Sequence, residues 1–328
     1  MHNKKRKKHT ARNVCLIIVL LLVVVGAAFG ITRYRSIKNS ADSSFAPSGV
    51  TKQRDVQSGL NNKKPISILL MGIDTDDWVR NYDGDTNSMM IVTLNPNTNK
   101  TTITSIPHDL ALKEIPGSDI KKPTMIGTAY SVKGTETTIP SVEKLLNIPI
   151  DYYALINMLG ISKAINKVGG VEVTPKADFS ADGYSFKSGE NTHMDGEKVM
   201  AYVRSHQGDE VDRQARQRQV LTGLVSKSKK VSTLFDQDLI DSVTEQIKTD
   251  LTFDRMKTLA KNYRSVGNKI TNDSIDGTEA KVDGQKMTTV DEPELQRVTD
   301  SIRDNLGLHD KDTGDIQYVF KLVPKVEK

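Results

Sequence analysis

The stretch ISILLMGI at residues 66–73, with MMIVTL at 89–94 and KTTITSI at 100–106, decides the fold. The first is a continuous apolar run of strand length, the pattern of a strand covered on both faces of a sheet. The second is similar and ends in Asn95-Pro96-Asn97-Thr98-Asn99, a strong turn signal. The third alternates and is rich in Thr and Ile, as half-buried strands are. A turn this short makes the second and third strands antiparallel neighbours. If the first strand runs up, it ends at Asp74. A second strand running down begins at the same edge, beside Asn87, and a third running up delivers His108 and Asp109 there. These residues are therefore expected around one rim, where ligands of α/β sheets gather.

Further along, Val142–Leu146 reads as helix, Tyr152–Ile156 as strand and Leu159–Val168 as helix, before Gly169-Gly170 and a short strand at Val171–Val173. Helical periodicity returns at Gly196–Val203, Asp212–Lys229, Leu234–Ile247, Phe253–Tyr263 and Asp291–Leu306. Strands and helices interleaved over about 245 residues argue one α/β domain at 65–309. Residues 310–328 read as a tail with a short strand at Ile316–Leu322, and the polar residues 32–64 as a linker.

Upstream, Val14–Ile31 is 18 residues without a charge, preceded at 1–12 by six basic residues and no acid. A helix of that length is roughly 27 Å long, enough for a hydrocarbon core. The run exceeds a signal-peptide core, so residues 13–31 are expected to be an uncleaved anchor. The basic tip stays in the cytoplasm and residues 32–328 lie outside. The net charge of +5 belongs to this tip, because without it 40 of the 46 Lys and Arg remain against 41 Asp and Glu. A basic body that binds nucleic acid is thereby excluded. The single cysteine, Cys15, lies within the apolar run, so the exported part relies on a packed core and not on disulfides.

A second cluster is AYVRSHQGDEVDRQARQRQ at 201–219. Arg213, Gln217, Val220 and Leu224 share one helix face. Val220 and Leu224 are core residues, so Arg213 and Gln217 point inward near the helix start, where an arginine opposes the macrodipole and calls for an anion. The alternative is a structural network with Asp209, Glu210 or Asp212. The acidic loop DTDDWVRNYDGD at 74–85 lacks EF-hand spacing, and no Ser-His-Asp constellation stands out.

These residues resemble the LytR-CpsA-Psr family of envelope proteins. The motifs are ILLMGID at 68–74, SMMIVTLNP at 88–96, SIPHD at 105–109, NIPIDYYALIN at 147–157, VGGVEV at 168–173, MDGEKVMAYVRS at 194–205 and DRQARQ at 212–217, in the family's order. The resemblance implies a mixed β-sheet flanked by helices behind an N-terminal transmembrane helix. It also implies a Mg²⁺-dependent phosphotransferase, with pyrophosphatase side activity, on the outer face of a Gram-positive cell membrane. Such an enzyme moves a glycopolymer from a polyprenyl-pyrophosphate carrier to peptidoglycan. On this resemblance Asp74 and Asn87 hold the metal. Arg204, Arg213, Arg216, Gln217, His108 and His206 bind pyrophosphate, and Asp109 and Arg204 are catalytic. An apolar tunnel between sheet and helices takes the polyprenyl tail.

The chain departs from the family pattern at several of these places. Asp85-Thr86-Asn87 stands for Arg-Ser/Thr-Asp, SIPHD for SIPRD and Arg204-Ser205-His206 for Arg-x-Arg, while Met125–Tyr130 replaces Lys-Ile-Asn-x-Ala-Tyr. The alternative reading is therefore a catalytically weakened relative that binds lipid-linked precursors and affects envelope maintenance or, indirectly, transcription.

Overall fold

The computed structural model of the chain describes residues 38–39, 42–73, 84–205, 207–208, 210–227 and 247–318. The expected anchor at 13–31, Asp74, Trp78, His206 and nearly all of the helix expected at Leu234–Ile247 lie outside these residues. Ile247 itself opens a strand. Among the described residues no helix is long and apolar enough to cross a membrane.

The elements run α1 (Val56–Asn61), β1 (Ile66–Ile73), β2 (Thr86–Asn95), β3 (Lys100–Ile106), β4 (Ala111–Leu112), β5 (Thr124–Met125), α2 (Ala129–Lys133) and α3 (Thr135–Leu146). There follow β6 (Tyr152–Asn157), α4 (Met158–Lys167), β7 (Val171–Val173), β8 (Phe179–Ala181), β9 (Tyr184–Phe186), β10 (Thr192–Met194), α5 (Gly196–Arg204) and α6 (Glu210–Lys227). Last come β11 (Ile247–Thr249), α7 (Phe253–Asn262), β12 (Lys269–Ser274), β13 (Thr278–Val282), β14 (Gln285–Thr289) and α8 (Glu292–Asn305).

The central sheet has the order β11-β6-β1-β2-β3-β12. β6 runs parallel to β1 and β12 parallel to β3, while the other neighbours are antiparallel, so the sheet is mixed. The helices start where local chemistry starts them. Asn157 caps α4 at Gly160 N, 2.8 Å, and Asp195 caps α5 at Lys198 N, 2.9 Å. Asp291 caps α8 at Glu294 N, 3.0 Å, with Pro293 in the first turn.

One face of the sheet carries Leu69, Met71, Ile73, Met89 and Ile91, which are sealed beneath Val142 and Leu145 of α3 and Leu295, Val298 and Ile302 of α8. The lower part of the other face, with Ile66, Ile68 and Tyr152, is covered by Leu60 of α1 and by Leu251 and Tyr263 around α7. Farther up that face Leu70, Val92, Ala154 and Ile156 are only half-buried. The register Leu70↔Met90, Ile68↔Val92, Leu70↔Ala154 and Gly72↔Ile156 puts them side by side. β1 itself is buried on both faces, as its unbroken apolar run led one to expect, with Leu70 alone half-buried; the unequal cover falls mainly on β2 and β6. A third cluster joins α4, α5, α6 and β7 around Ile165, Val171, Phe186, Met194, Tyr202 and Val220.

The domain limits differ from those expected at both ends. Residues 42–64 form no free linker. Phe45 bridges to Thr249 in parallel, Thr135 Oγ1 donates to Ser48 O at 2.8 Å, and α1 contributes a fully buried Leu60. Arg54 binds the buried Asp151, with Nε to Oδ1 at 2.6 Å, and Lys52 pairs with Asp250 at 2.7 Å. The apolar content of 32–64 is too sparse to announce this, because the segment is held by ion pairs and backbone bonds together with a few apolar side chains, Leu60 above all. At the other end Lys113 N donates to Ile316 O at 2.8 Å, Ile316 is buried, and Leu112 bridges to Gln317. The tail is therefore packed at least to Tyr318, whose N–H reaches Ala111 O.

Candidate functional site

The upper edge of the sheet collects the residues expected there. Ile73, the last residue of β1, pairs with Thr86 at the head of β2, and Met89 pairs with Ile106 at the end of β3. Pro107-His108-Asp109 therefore leaves β3 beside the segment that carries Asp85 and Asn87. A close approach locks the two together. Gly127 N donates to His108 O at 2.8 Å, and Thr86 Oγ1 donates to Gly127 O at 3.3 Å. A Cβ at Gly127 would stand 2.6 Å from Thr86 O and 2.9 Å from His108 O, so only glycine fits this backbone crossing. Asp85 is fixed by hydroxyl donors, Thr128 Oγ1 at 2.9 Å and Ser131 Oγ at 2.6 Å. Asn87 is half-buried at the head of β2.

The start of α6 leans onto this edge. Arg213 NH2 lies 3.0 Å from His108 Nδ1, and Ser88 Oγ donates to Gln217 Oε1 at 2.9 Å. The expectation that Arg213 and Gln217 point inward from one helix face is met, and Gln217 is 9% exposed. Val220 packs in the third cluster with Leu224 against it. Arg216 turns elsewhere. Its guanidinium donates to Ser205 O and, at 2.9 Å, to Gln207 O, and lies 5.2 Å from the Phe179 ring, which stacks on Phe186 and Tyr202. Arg216 thereby pins the short connection between α5 and α6. Burial pushes the Tyr202 hydroxyl up to about 12, so it acts as a hydrogen-bond donor, reaching Gln219 Oε1 at 2.6 Å.

Arg204 ends α5 with its side chain exposed. Asp109 is half-buried, and its Oδ1 accepts from Thr288 Oγ1 at 2.9 Å while its carbonyl accepts from Thr288 N at 3.0 Å. Thr288 of β14, Ser88 and Gly127 are site-shaping residues that sequence reasoning did not pick out. Ser88 left one signal, a polar residue opening an otherwise apolar strand. Thr288 left none, since its hairpin reaches the site only through tertiary packing.

The geometry is a polar, arginine-bearing rim above a half-buried apolar strip of the sheet. Compared with known proteins, the chain matches the LytR_cpsA_psr family over residues 31–304. The chain belongs to the LytR-CpsA-Psr family. It is 37% identical over 307 residues to the polyisoprenyl-teichoic acid–peptidoglycan teichoic acid transferase TagU of Enterococcus faecalis, covering 92% of this chain and 99% of that one. The Bacillus subtilis protein of the same name is 31% identical over 311 residues, with 93% and 99% covered. Among solved structures, B. subtilis TagV superposes with a TM-score of 0.65 at 29% identity, over 75% of this chain and 99% of that one. The LytR-CpsA-Psr domain thus accounts for the mixed sheet and the order of its motifs.

Proposed function

We propose that this LytR-CpsA-Psr protein is a membrane-anchored extracellular phosphotransferase that moves a glycopolymer from a polyprenyl-pyrophosphate carrier to peptidoglycan. The observation that carries this reading is the rim built by His108, Arg213, Gln217 and Ser88 standing over Leu70, Val92, Ala154 and Ile156. Half-buried aliphatic side chains in the central strands of a sheet suit an apolar tail, and guanidinium donors at their upper end suit the phosphates of its head group. The names of the TagU relatives support the same reaction.

In this reading Arg204 and Arg213 hold phosphate oxygens, with His108, Gln217 and His206 as further partners. Arg216 shapes the loop through Ser205 and Gln207 while its charge adds to the field. Asp109 orients the phosphates or takes the proton of the acceptor hydroxyl. That oxygen forms a bond to the phosphorus bearing the glycopolymer, and the carrier leaves as its monophosphate. The Asn87 amide at the head of β2 and the Asp85 carboxylate two residues before it, already held by two hydroxyls, are oxygen donors of the kind a hard cation takes. Mg²⁺ would be held by Asn87 and Asp74, and when bound it neutralises charge on the transferred phosphate.

The test uses the full chain in detergent micelles with Mg²⁺ and a polyprenyl pyrophosphate. Phosphate release is expected, and Arg204→Ala and Asp74→Ala should each lower it by about 10²-fold. Turnover indifferent to both changes would sink the assignment. The weakened-relative reading rests on Asp85, Asn87, His108 and His206. A large gain in activity on Asn87→Asp with His108→Arg would favour it, and a loss would show that the present residues work as they stand. The anchor is tested by a topology reporter, which should place residues 65–328 outside the membrane.

A further inference from the structure

Beyond the rim, α6 continues across the sheet toward β12 with a polar side where a sheet-packed helix ordinarily carries an apolar stripe. Among the described residues, Gln217 Nε2, Arg218 NH1 and Thr222 Oγ1 on the helix, and Ser105 Oγ on β3, are buried without a hydrogen-bond partner. Each such group costs roughly 1–3 kcal/mol when left unmet, so a row of them calls for an occupant or an opening. The row leads to a cavity of about 380 Å³ between α6, β7 and β12, lined by Glu172, Val173, Thr174, Gln219, Thr222 and Asn272, among others. Its volume is that of small-ligand pockets. Asn272 is exposed, and among the described residues no side-chain hydrogen bond engages its amide. The Glu172 carboxylate is oriented by His193 Nδ1 at 2.8 Å and Asn191 Nδ2 at 3.2 Å. Gly223 lets the helix approach β7, since a Cβ there would sit 3.2 Å from Val171 Cβ.

The lining discriminates between ligands. Among the described residues it offers one carboxylate, the exposed Asn272 amide and hydroxyls over a small apolar floor, and no basic side chain, while the Gln219 amide is already engaged by Tyr202 OH and Thr174 O. Arg218, the nearest guanidinium along the helix, interacts with Asp273 and Asp276 instead. Donors and acceptors in alternation, without a cation, match vicinal hydroxyls and an acetamido group better than a phosphate. We propose that this cavity is a glycan subsite that binds a neutral hydroxyl-rich sugar ring about one and a half helical turns beyond the rim. The source of the sugar, donor polymer or acceptor strand, rests on the transferase reading; the binding itself does not.

The test is saturation-transfer NMR on the full chain in detergent micelles. One arm adds a β-1,4-linked N-acetylglucosamine tetramer and the other a glycerol-phosphate oligomer. The neutral oligomer is expected to bind, and Asn272→Ala and Thr222→Val should each weaken it by about fivefold, as for one lost hydrogen bond. No transfer signal from the neutral oligomer, binding unchanged in both variants, or Asn272-dependent binding of the polyanion alone would overturn the proposal. Thermal melts establish that both variants fold. Assays of Asn272→Ala then separate the sources. Retained phosphate release with lost transfer to peptidoglycan assigns the ring to the acceptor, and a raised KM for the donor assigns it to the donor. A wild-type chain that binds the tetramer but releases no phosphate refutes the transferase reading and leaves the subsite standing.

Discussion

Arg213 can only donate, so its contact at 3.0 Å makes His108 Nδ1 the acceptor and leaves the ring proton on Nε2. His108 therefore supports the guanidinium as a neutral partner, which an arginine in its place could not do. His108→Arg would set two guanidinium groups against each other until an anion arrives. The variant is expected to melt lower than wild type when free and to gain more in Tm from added pyrophosphate. Equal gains in the two proteins would mean that the pair does not face the anion. Helical spacing sufficed to turn Arg213 and Gln217 inward, because Val220 and Leu224 fix the phase of the helix. It could not show that Arg216 caps the carbonyls of Ser205 and Gln207, since that depends on where Phe179, on a separate hairpin, stands.

At the scale of the element, β1 to β3 were legible because strand length, the Asn95–Asn99 turn and antiparallel pairing follow from local sequence. The unequal cover of the two faces was not, since Leu70 reads like Leu69 until the helices are placed. Ala154 offers a test of the strip. Ala154→Leu adds apolar volume to a half-buried position and should leave Tm unchanged or slightly higher. It should raise the KM for a long-chain polyprenyl pyrophosphate about tenfold while sparing a short-chain analogue. A similar change for both chain lengths would remove the strip from the tail's path. On α8, Glu294 sits in the first turn, accepts from Asp276 N at 2.9 Å and pairs with Arg297, which also reaches Asp273. The Arg297 hydrogen bonds hold the Glu294 carboxyl below its usual range. Its stabilising contribution is thus present above the unfolded carboxylate pKa and is lost as pH falls through the depressed folded value. Glu294→Gln should lower Tm at pH 7, and the deficit should shrink as pH falls through the depressed folded value, where the wild-type carboxyl is neutral too. A deficit that persists in acid would assign the effect to packing.

For the whole molecule, the segment before β1 changes what the proposed anchor can do. Phe45 is already bridged to Thr249, so fewer than about 15 residues separate it from Ile31, a reach of at most roughly 50 Å even when fully extended. With the proposed anchor in place the site would lie close to the lipid of its proposed donor, and two buried carboxylates would maintain that distance. Asp151 is 1% exposed and accepts from Arg54, from Ser67 N at 2.8 Å and from Ser67 Oγ at 3.2 Å. Asp250 accepts from Tyr153 N at 2.9 Å and pairs with Lys52. Such ions are invisible to hydrophobic patterning, which is why residues 42–64 read as a linker. Asp151→Asn keeps the size of the side chain but removes the charge facing Arg54, and should cost about 2–3 kcal/mol, somewhat less than for a fully enclosed pair because Arg54 is partly exposed. Urea denaturation would show a lower midpoint at an unchanged slope if the strap unfolds with the domain. A chain starting at residue 65 should lose more, since it also forfeits Leu60 and the covering of Ile66 and Tyr152. If both proteins keep the wild-type midpoint, residues 42–64 are a passive tether after all, and the distance from membrane to site is set by chain length alone.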